Sequence, residues 1–172
     1  MSGGWPSPGI IARVMHPRDA LAAVLVCAAV ACSSPSPTFS LAAASVDPTY
    51  WCPGGASDAA YDLHATVDAR NGTSKEVTIQ SATAVMVLTS VSGAWLEKIG
   101  ARYDAGTVNV TPASVAASSN AKLGVTIPSA CTSARYGASA SSSGRYTVTV
   151  RLVTSAGTFS IAAANPHEIL AA

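Results

Sequence analysis

The stretch Gly144-Arg-Tyr-Thr-Val-Thr-Val-Arg-Leu-Val153 is the clearest indication of the fold class, because apolar and polar side chains alternate along it. Its apolar set runs from Tyr146 to Leu152, and threonine or arginine occupies the positions between. A period of two is typical of a β-strand with one buried and one solvated face. The turn signal Thr154-Ser-Ala-Gly157 then leads into Thr158-Phe-Ser-Ile-Ala162, so the segment predicts a β-hairpin.

The same alternation occurs earlier, in Tyr61-Asp-Leu-His-Ala-Thr-Val-Asp-Ala-Arg70. The turn signal Asn71-Gly72 follows, and Lys75-Glu-Val-Thr-Ile-Gln80 resumes the pattern, which predicts either a hairpin or a pair of strands that crosses between sheets. A short helical turn is predicted over residues 95–99. Weaker strand patterns occupy residues 84–91, 106–110 and 122–127, with breaks at 92–93, 111–112, 118–120 and Pro128.

The hairpin at the end of the chain resembles the penultimate and last strands of immunoglobulin-like domains of the PKD and fibronectin type III kind. Gly144, Tyr146, Val148 and Val150 carry the resemblance, and Tyr146 matches the tyrosine corner of such domains. The resemblance implies an all-β, immunoglobulin-like antiparallel β-sandwich of about seven strands. We therefore expect Tyr146 to pack its ring inward and to bond its hydroxyl to a backbone group in the connection before Gly144.

The first 31 residues have the features of a signal peptide, with Met15 as an alternative start. Arg13 and Arg18 precede an apolar run over residues 21–31, which is too short for a membrane-spanning helix. Residues 32–44 predict a Ser/Pro-rich tether, and residues 45–172 predict one folded domain.

The four cysteines divide between these segments. Cys27 lies in the apolar run, and Cys32 follows Ala29-Val-Ala31, which resembles a bacterial lipobox. The resemblance implies that Cys32 is lipidated and anchors the chain to the membrane, whereas ordinary signal cleavage before Cys32 is the alternative. Cys52 and Cys131 remain, and we expect them to pair in an oxidising compartment as a bridge between two connections at one end of the sandwich.

Composition and polar motifs argue against several functions. The chain is 49% hydrophobic and 11% charged with a formal net charge of +1, so it has no basic stripe for nucleic acid. Asp62, His64 and Asp68 share the polar face of one predicted strand, which we interpret as a solvated face rather than a metal or acid–base site. His167-Glu168 lacks the second histidine of a zinc motif, because Ala171 occupies its position. We expect no metal, no cofactor and no enzymatic activity; an envelope hydrolase using His64 or His167 is a minor alternative.

Four aromatic residues are the candidates for ligand binding: Tyr50, Trp51, Trp95 and Tyr103. Exposed rings of this kind stack on sugars or anchor protein partners, but we expect Trp51 and Trp95 to pack against the disulfide or the core. The sequence thus predicts a non-catalytic, exported lipoprotein of a bacterial cell envelope, whose domain lies outside the cytoplasm and serves as a structural module or binds an envelope protein or glycan. A carbohydrate-binding module that uses exposed Trp and Tyr rings is the alternative.

Overall fold

A computed structural model describes residues 38–132 and 142–171. The regular secondary structure of these residues consists of β-strands. These residues belong to one unit, Ser36–Ala172, and contain no helix. The strands are β1 (Phe39–Val46), β2 (Thr49–Cys52), β3 (Ala59–Asn71), β4 (Val77–Ser92), β5 (Arg102–Thr107), β6 (Asn109–Thr111), β7 (Ser114–Val115), β8 (Ser119–Cys131), β9 (Ser143–Thr154), β10 (Gly157–Ala162) and β11 (His167–Ala171).

The strands form two sheets. The first has the order β1-β3-β8-β6, and the second has the order β2-β11-β9-β4-β5, with β10 paired to β9 and β7 paired to β4. Every pairing is antiparallel except that of β2 with β11, which is parallel. The predicted all-β, immunoglobulin-like β-sandwich is therefore confirmed, although the described residues form eleven strands, several of them very short, rather than about seven.

The core lies between the long strands of the two sheets. Alternate residues of β3 and β8 face inward from the first sheet, and alternate residues of β4 and β9 face inward from the second. Burial of each larger aliphatic side chain stabilises the domain by roughly 1.5–3 kcal/mol. The largest buried apolar side chains are Leu63, Val67, Met86, Leu88, Val115, Leu123, Val125, Ile127, Val148, Val150 and Leu152.

The connection after β3 carries the chain from the first sheet to the second. β3 and β4 do not pair with each other, so the turn at Asn71-Gly72 is the sheet crossing and not the hairpin of the two predicted alternatives. The buried Asn71 amide holds this turn. It donates to the carbonyl oxygens of Lys75 and Val115 at 2.8 and 3.0 Å, and its oxygen accepts from the Thr73 N–H at 3.0 Å.

Two predicted strands are in fact one. The segments 75–80 and 84–91 both belong to β4, whose register against β9 shifts between Ile79 and Ser81. A β-bulge of this kind inserts one residue and reverses the face on which later residues lie. The alternation therefore changes phase between Ile79 and the buried Ala82, which makes the strand look interrupted in the sequence.

The start of the domain is also earlier than predicted. β1 begins at Phe39, within the range 32–44 that composition assigns to a tether. Phe39 is buried and packs against Phe159 with ring centroids 5.0 Å apart, while Ala44 and Val46 face the core further along the strand. A small number of apolar residues at the correct spacing is enough to add an edge strand to an existing sheet, despite the neighbouring serines and prolines.

Three local predictions fail for identifiable reasons. Pro128 lies inside β8 and not at its end. β6 pairs with β8 opposite residues 124–126, and no described strand pairs with that edge of β8 at Pro128, so the missing N–H is tolerated there. Residues 95–99 do not form a helical turn, and the glycines at either side, Gly93 and Gly100, have φ values of 70° and 94°. The β9–β10 hairpin is confirmed, but β11 follows it, so β10 is not the last strand.

Candidate functional site

A disulfide joins Cys52 and Cys131, whose Cα atoms are 5.9 Å apart, as predicted. Its position differs from the prediction, because the two cysteines are the last residues of β2 and β8 rather than parts of connections. These strands belong to different sheets, so the bond crosslinks the sandwich itself. Structural disulfides of this kind are typical of proteins that fold in an oxidising compartment, which indicates an extracytoplasmic domain.

A cleft of about 180 Å³ opens beside this crosslink, between the first sheet and the β4–β5 connection. The cleft brings together two of the four predicted ligand-binding residues, Trp95 and Tyr103. Asp58 and Glu97 contribute carboxylates, although neither belongs to a motif recognisable in the sequence. The lining residues are Asp58, Trp95, Leu96, Glu97, Tyr103, Ala130, Cys131, Thr132, Tyr146 and Ile169.

Tyr146 anchors one wall of the cleft. Its ring is buried, with 6% of its surface exposed, as predicted. The predicted bond from its hydroxyl to the backbone before Gly144 is wrong: the hydroxyl donates to Oε2 of Glu97 at 2.7 Å and accepts from Nε1–H of Trp95 at 3.2 Å. Burial, and then the hydrogen bond to Glu97, raises the pKa of the Tyr146 hydroxyl well above its usual value. Tyr146 thus ties the β4–β5 connection to β9 and does not form a tyrosine corner.

Gly144 allows Trp95 to lie against β9. A Cβ atom at Gly144 would stand 2.5–2.7 Å from three indole atoms of Trp95, which is closer than real carbon contacts. The absence of a side chain at this strand position therefore makes room for the ring. Trp95 packs against the core as predicted, held by Gly144 on β9 and by its hydrogen bond to Tyr146.

The remaining predicted aromatic residues lie in different environments. Tyr103 is 40% exposed at the cleft and donates its hydroxyl to the carbonyl oxygen of Pro128 at 3.3 Å. Tyr50 is not in the cleft lining; its ring stacks on Tyr61 with centroids 3.8 Å apart and an interplanar angle of 7°. Trp51 is 66% exposed, so the expectation that it packs over the disulfide is wrong. On β2, residues alternate between faces, and Cys52 takes the inward position beside it.

Trp51 shares the outer face of the second sheet with a polar cluster. It is paired with Leu170 on β11, and Glu168 lies two residues before Leu170 on the same face. Glu168 accepts from the Ser143 hydroxyl at 2.7 Å and pairs with Nη2 of Arg145 at 3.2 Å. These two partners, Ser143 first, hold the pKa of Glu168 below its usual value.

A second hydrogen-bonded group, which the sequence did not reveal, lies at the edge of the core. His167 is 1% exposed, and its Nδ1–H donates to the carbonyl oxygen of Asp47 at 2.7 Å. Its Nε2 therefore accepts the hydroxyl of Tyr61 at 2.9 Å. Burial lowers the pKa of His167 and raises the pKa of Tyr61 to about 12. The sequence of β11, His-Glu-Ile-Leu-Ala, has no alternation of apolar and polar residues that could have indicated this arrangement.

The polar face of β3 is occupied by separate pairs. His64 bonds the Asp47 carboxylate at 3.1 Å, and Asp68 pairs with Lys122 at 2.8 Å. Across residues 38–132 and 142–171, no group of three or more His, Cys, Asp or Glu side chains has the arrangement of a metal site. Cys27, Cys32 and the predicted signal lie outside the described residues. In the part of the chain that the structure covers, no helix meets the length and hydropathy of a membrane span.

The fold and site together define a disulfide-crosslinked, immunoglobulin-like β-sandwich with an aromatic and acidic cleft at the crosslinked end. The sequence matches no protein-family model and no curated protein.

Solved structures with a similar architecture have low sequence identity to this chain and come from different organisms. One is AggA, the major subunit of aggregative adherence fimbriae type I of Escherichia coli, at 11% identity over 78% of this chain and 95% of that chain, with a TM-score of 0.33. Another is Spo0M, a sporulation control protein of Bacillus subtilis, at 11% identity over 76% and 51%, with a TM-score of 0.35. A third is the ASH/PapD-like domain of human CEP192, at 8% identity over 96% and 98%, with a TM-score of 0.29.

Proposed function

We propose that this protein is a non-catalytic lipoprotein of a bacterial cell envelope, anchored through Cys32, whose sandwich domain of the PKD or fibronectin type III kind binds a ligand or partner at the crosslinked end. The single observation that carries the proposal is the cleft beside the Cys52–Cys131 bond, whose concave lining combines two aromatic rings with two carboxyl groups. Concave sites with a few convergent polar groups are the usual form of a ligand site.

The proposal includes no catalytic step because both histidines of the described residues are engaged elsewhere. His64 pairs with Asp47 on an exposed face, and His167 is bonded at both ring nitrogens. Neither lines the cleft, where Asp58 and Glu97 are the carboxyl groups. A binding role needs only the shape and charge of the cleft.

Cell fractionation tests the anchor. We expect Cys32→Ser to move the protein from the membrane to the soluble fraction, and to abolish incorporation of an alkyne-labelled fatty acid. Cys27→Ser is the matched control, because Cys27 lies in the apolar run and should leave both readouts unchanged. If Cys32→Ser stays in the membrane fraction, or if the parent carries no fatty acid, the lipoprotein proposal fails.

A carbohydrate-binding module is the second candidate, and the exposure of Trp51 favours it. A solvent-facing indole can stack on a sugar ring, and the neighbouring Glu168 and Arg145 offer an acceptor and donors for hydroxyl groups. Adjacent strands are about 4.8 Å apart, so these groups lie within the reach of a disaccharide.

Pull-down on insoluble glycans tests this candidate. We expect the protein to bind cellulose, chitin or peptidoglycan, and Trp51→Ala to remove most of that binding. Ile99→Ala is the control, because Ile99 is equally exposed, at 63%, but lies in the β4–β5 connection. Equal retention of the two variants would contradict sugar binding through Trp51.

A further inference from the structure

We propose that the cleft beside the disulfide binds a small organic cation, such as a quaternary or primary ammonium group. The inference rests on the proposed role of this cleft as a binding site and adds the chemical class of its ligand. It follows from three properties of the lining residues: their charge, their aromatic surface and the size of the space that they enclose.

The charged side chains that line the cleft are all acidic. Its acidic side chains are Asp58 and Glu97, and none of its lining residues within the described chain is lysine or arginine. Glu97 presents a carboxylate whose Oε2 is fixed in place by the Tyr146 hydroxyl. An anion in this space would meet two carboxylates, whereas a cation would be attracted to both, modestly at a solvent-exposed site.

The aromatic surface favours the same ligand. The rings of Trp95 and Tyr103 line the cleft, and the negative face of an aromatic ring attracts a cation. Trp95 is held between Gly144 and Tyr146, and Tyr103 is tied to Pro128, so neither ring needs to be ordered by the ligand. Preorganised rings lower the entropic cost of binding.

The size of the cleft limits the ligand to one small group. About 180 Å³ is less than the roughly 300 Å³ at which sites for drug-sized ligands begin. Ile169 and Ala130 supply apolar surface that suits the methyl or methylene groups around an ammonium nitrogen. A sugar chain, by contrast, fits the open outer face near Trp51 better than this small cleft.

A pair of isosteric probes tests the proposal on the full exported protein. Choline and 3,3-dimethylbutan-1-ol have nearly the same shape but differ in charge. We expect choline to perturb the Trp95 indole N–H signal in NMR titrations with a dissociation constant in the millimolar range, and the neutral alcohol to bind at least tenfold more weakly. Choline binding should also weaken as ionic strength rises. Equal binding of the two probes, or no binding of choline, overturns the proposal.

Matched variants locate the site. Glu97→Gln keeps a hydrogen-bond acceptor for Tyr146 and removes the charge, so we expect choline affinity to fall about tenfold. Asp68→Asn removes a carboxylate that pairs with Lys122 on another face, and we expect no change. Tyr103→Leu, which keeps apolar bulk without a ring, should also weaken choline binding. If Glu97→Gln and Asp68→Asn behave alike, the cation does not bind in the cleft, whatever the outcome of the Cys32 fractionation.

Discussion

The hydroxyl of Tyr61 in β3 lies 2.9 Å from Nε2 of His167 in β11, and this hydrogen bond joins the two sheets of the sandwich. Because Nδ1–H is committed to the Asp47 carbonyl, the neutral imidazole satisfies both contacts, whereas a protonated ring would present a second donor to the tyrosine. The folded state therefore favours the neutral form of His167, which makes the stability of the domain depend on pH.

We predict that the free energy of unfolding falls as the pH is lowered below about 6.5. The pKa of His167 is lowered in the folded state, so the unfolded chain binds the proton more readily. The contribution is complete above the unfolded pKa of 6.5 and is lost towards the lower folded pKa, by up to about 1.4 kcal/mol per pH unit. Denaturant unfolding at several values between pH 5 and 7 measures this slope, above the range in which Glu168 titrates.

Two histidine variants serve as the test and its control. His167→Gln should be less stable at neutral pH and should lose the pH dependence between pH 5 and 7. His64→Gln, at an exposed position on β3, should retain it. A slope that survives in His167→Gln would assign the dependence to another group.

We predict that Tyr146→Phe lowers the free energy of unfolding by about 1 kcal/mol and Tyr146→Ala by about 3–5 kcal/mol. The first change removes the hydroxyl shared by Trp95 and Glu97, and the second also leaves a cavity where the buried ring packs. Thermal and denaturant unfolding of both variants measures the difference. An alanine variant that melts like the parent would contradict the packing of Tyr146.

We predict that Gly144→Ala destabilises the domain by about 1–3 kcal/mol, because the added methyl group displaces the Trp95 ring. Gly124→Ala is the matched control: Gly124 is also a strand glycine, but a Cβ there would meet only the Thr111 carbonyl oxygen at an ordinary 3.6 Å. Trp95 fluorescence should change in the first variant and remain unchanged in the second. Equal effects of the two substitutions would mean that Trp95 does not pack on Gly144.

We predict that removal of the disulfide lowers the free energy of unfolding by about 4 kcal/mol. The bond closes a loop across a sequence separation of 79 and links two sheets, so its loss gives the unfolded chain far more conformational freedom. The double variant Cys52→Ala/Cys131→Ala and the reduced parent should unfold at similar, lower denaturant concentrations. No change upon reduction would show that the bond does not form in the purified protein.

The sequence alone is enough to predict the fold class and the inward faces of β3 and β9. Alternation in residues 61–70 and 144–153 appears directly as burial in β3 and β9, because a strand places successive side chains on opposite faces wherever it pairs. The pairing of Cys52 with Cys131 was also predictable, since no other cysteine remains in the folded domain. By contrast, the bulge in β4 shifts the phase of the alternation, so that this strand looks like two in the sequence. The strands β1 and β11 could not be predicted from alternation, because they are too short or too apolar.

Which side chains meet depends on the tertiary structure. Trp95 and Tyr146 are 51 residues apart in the chain, and Tyr61 and His167 are 106 apart, so each contact depends on the order in which strands join the sheets. Neither β-strand propensity nor alternation predicts the order of the strands in the sheets, because a strand has a period of two whichever strand it pairs with. The cleft has the same origin: Asp58 and Glu97 become one acidic site because the crosslinked end of the sandwich brings their connections together.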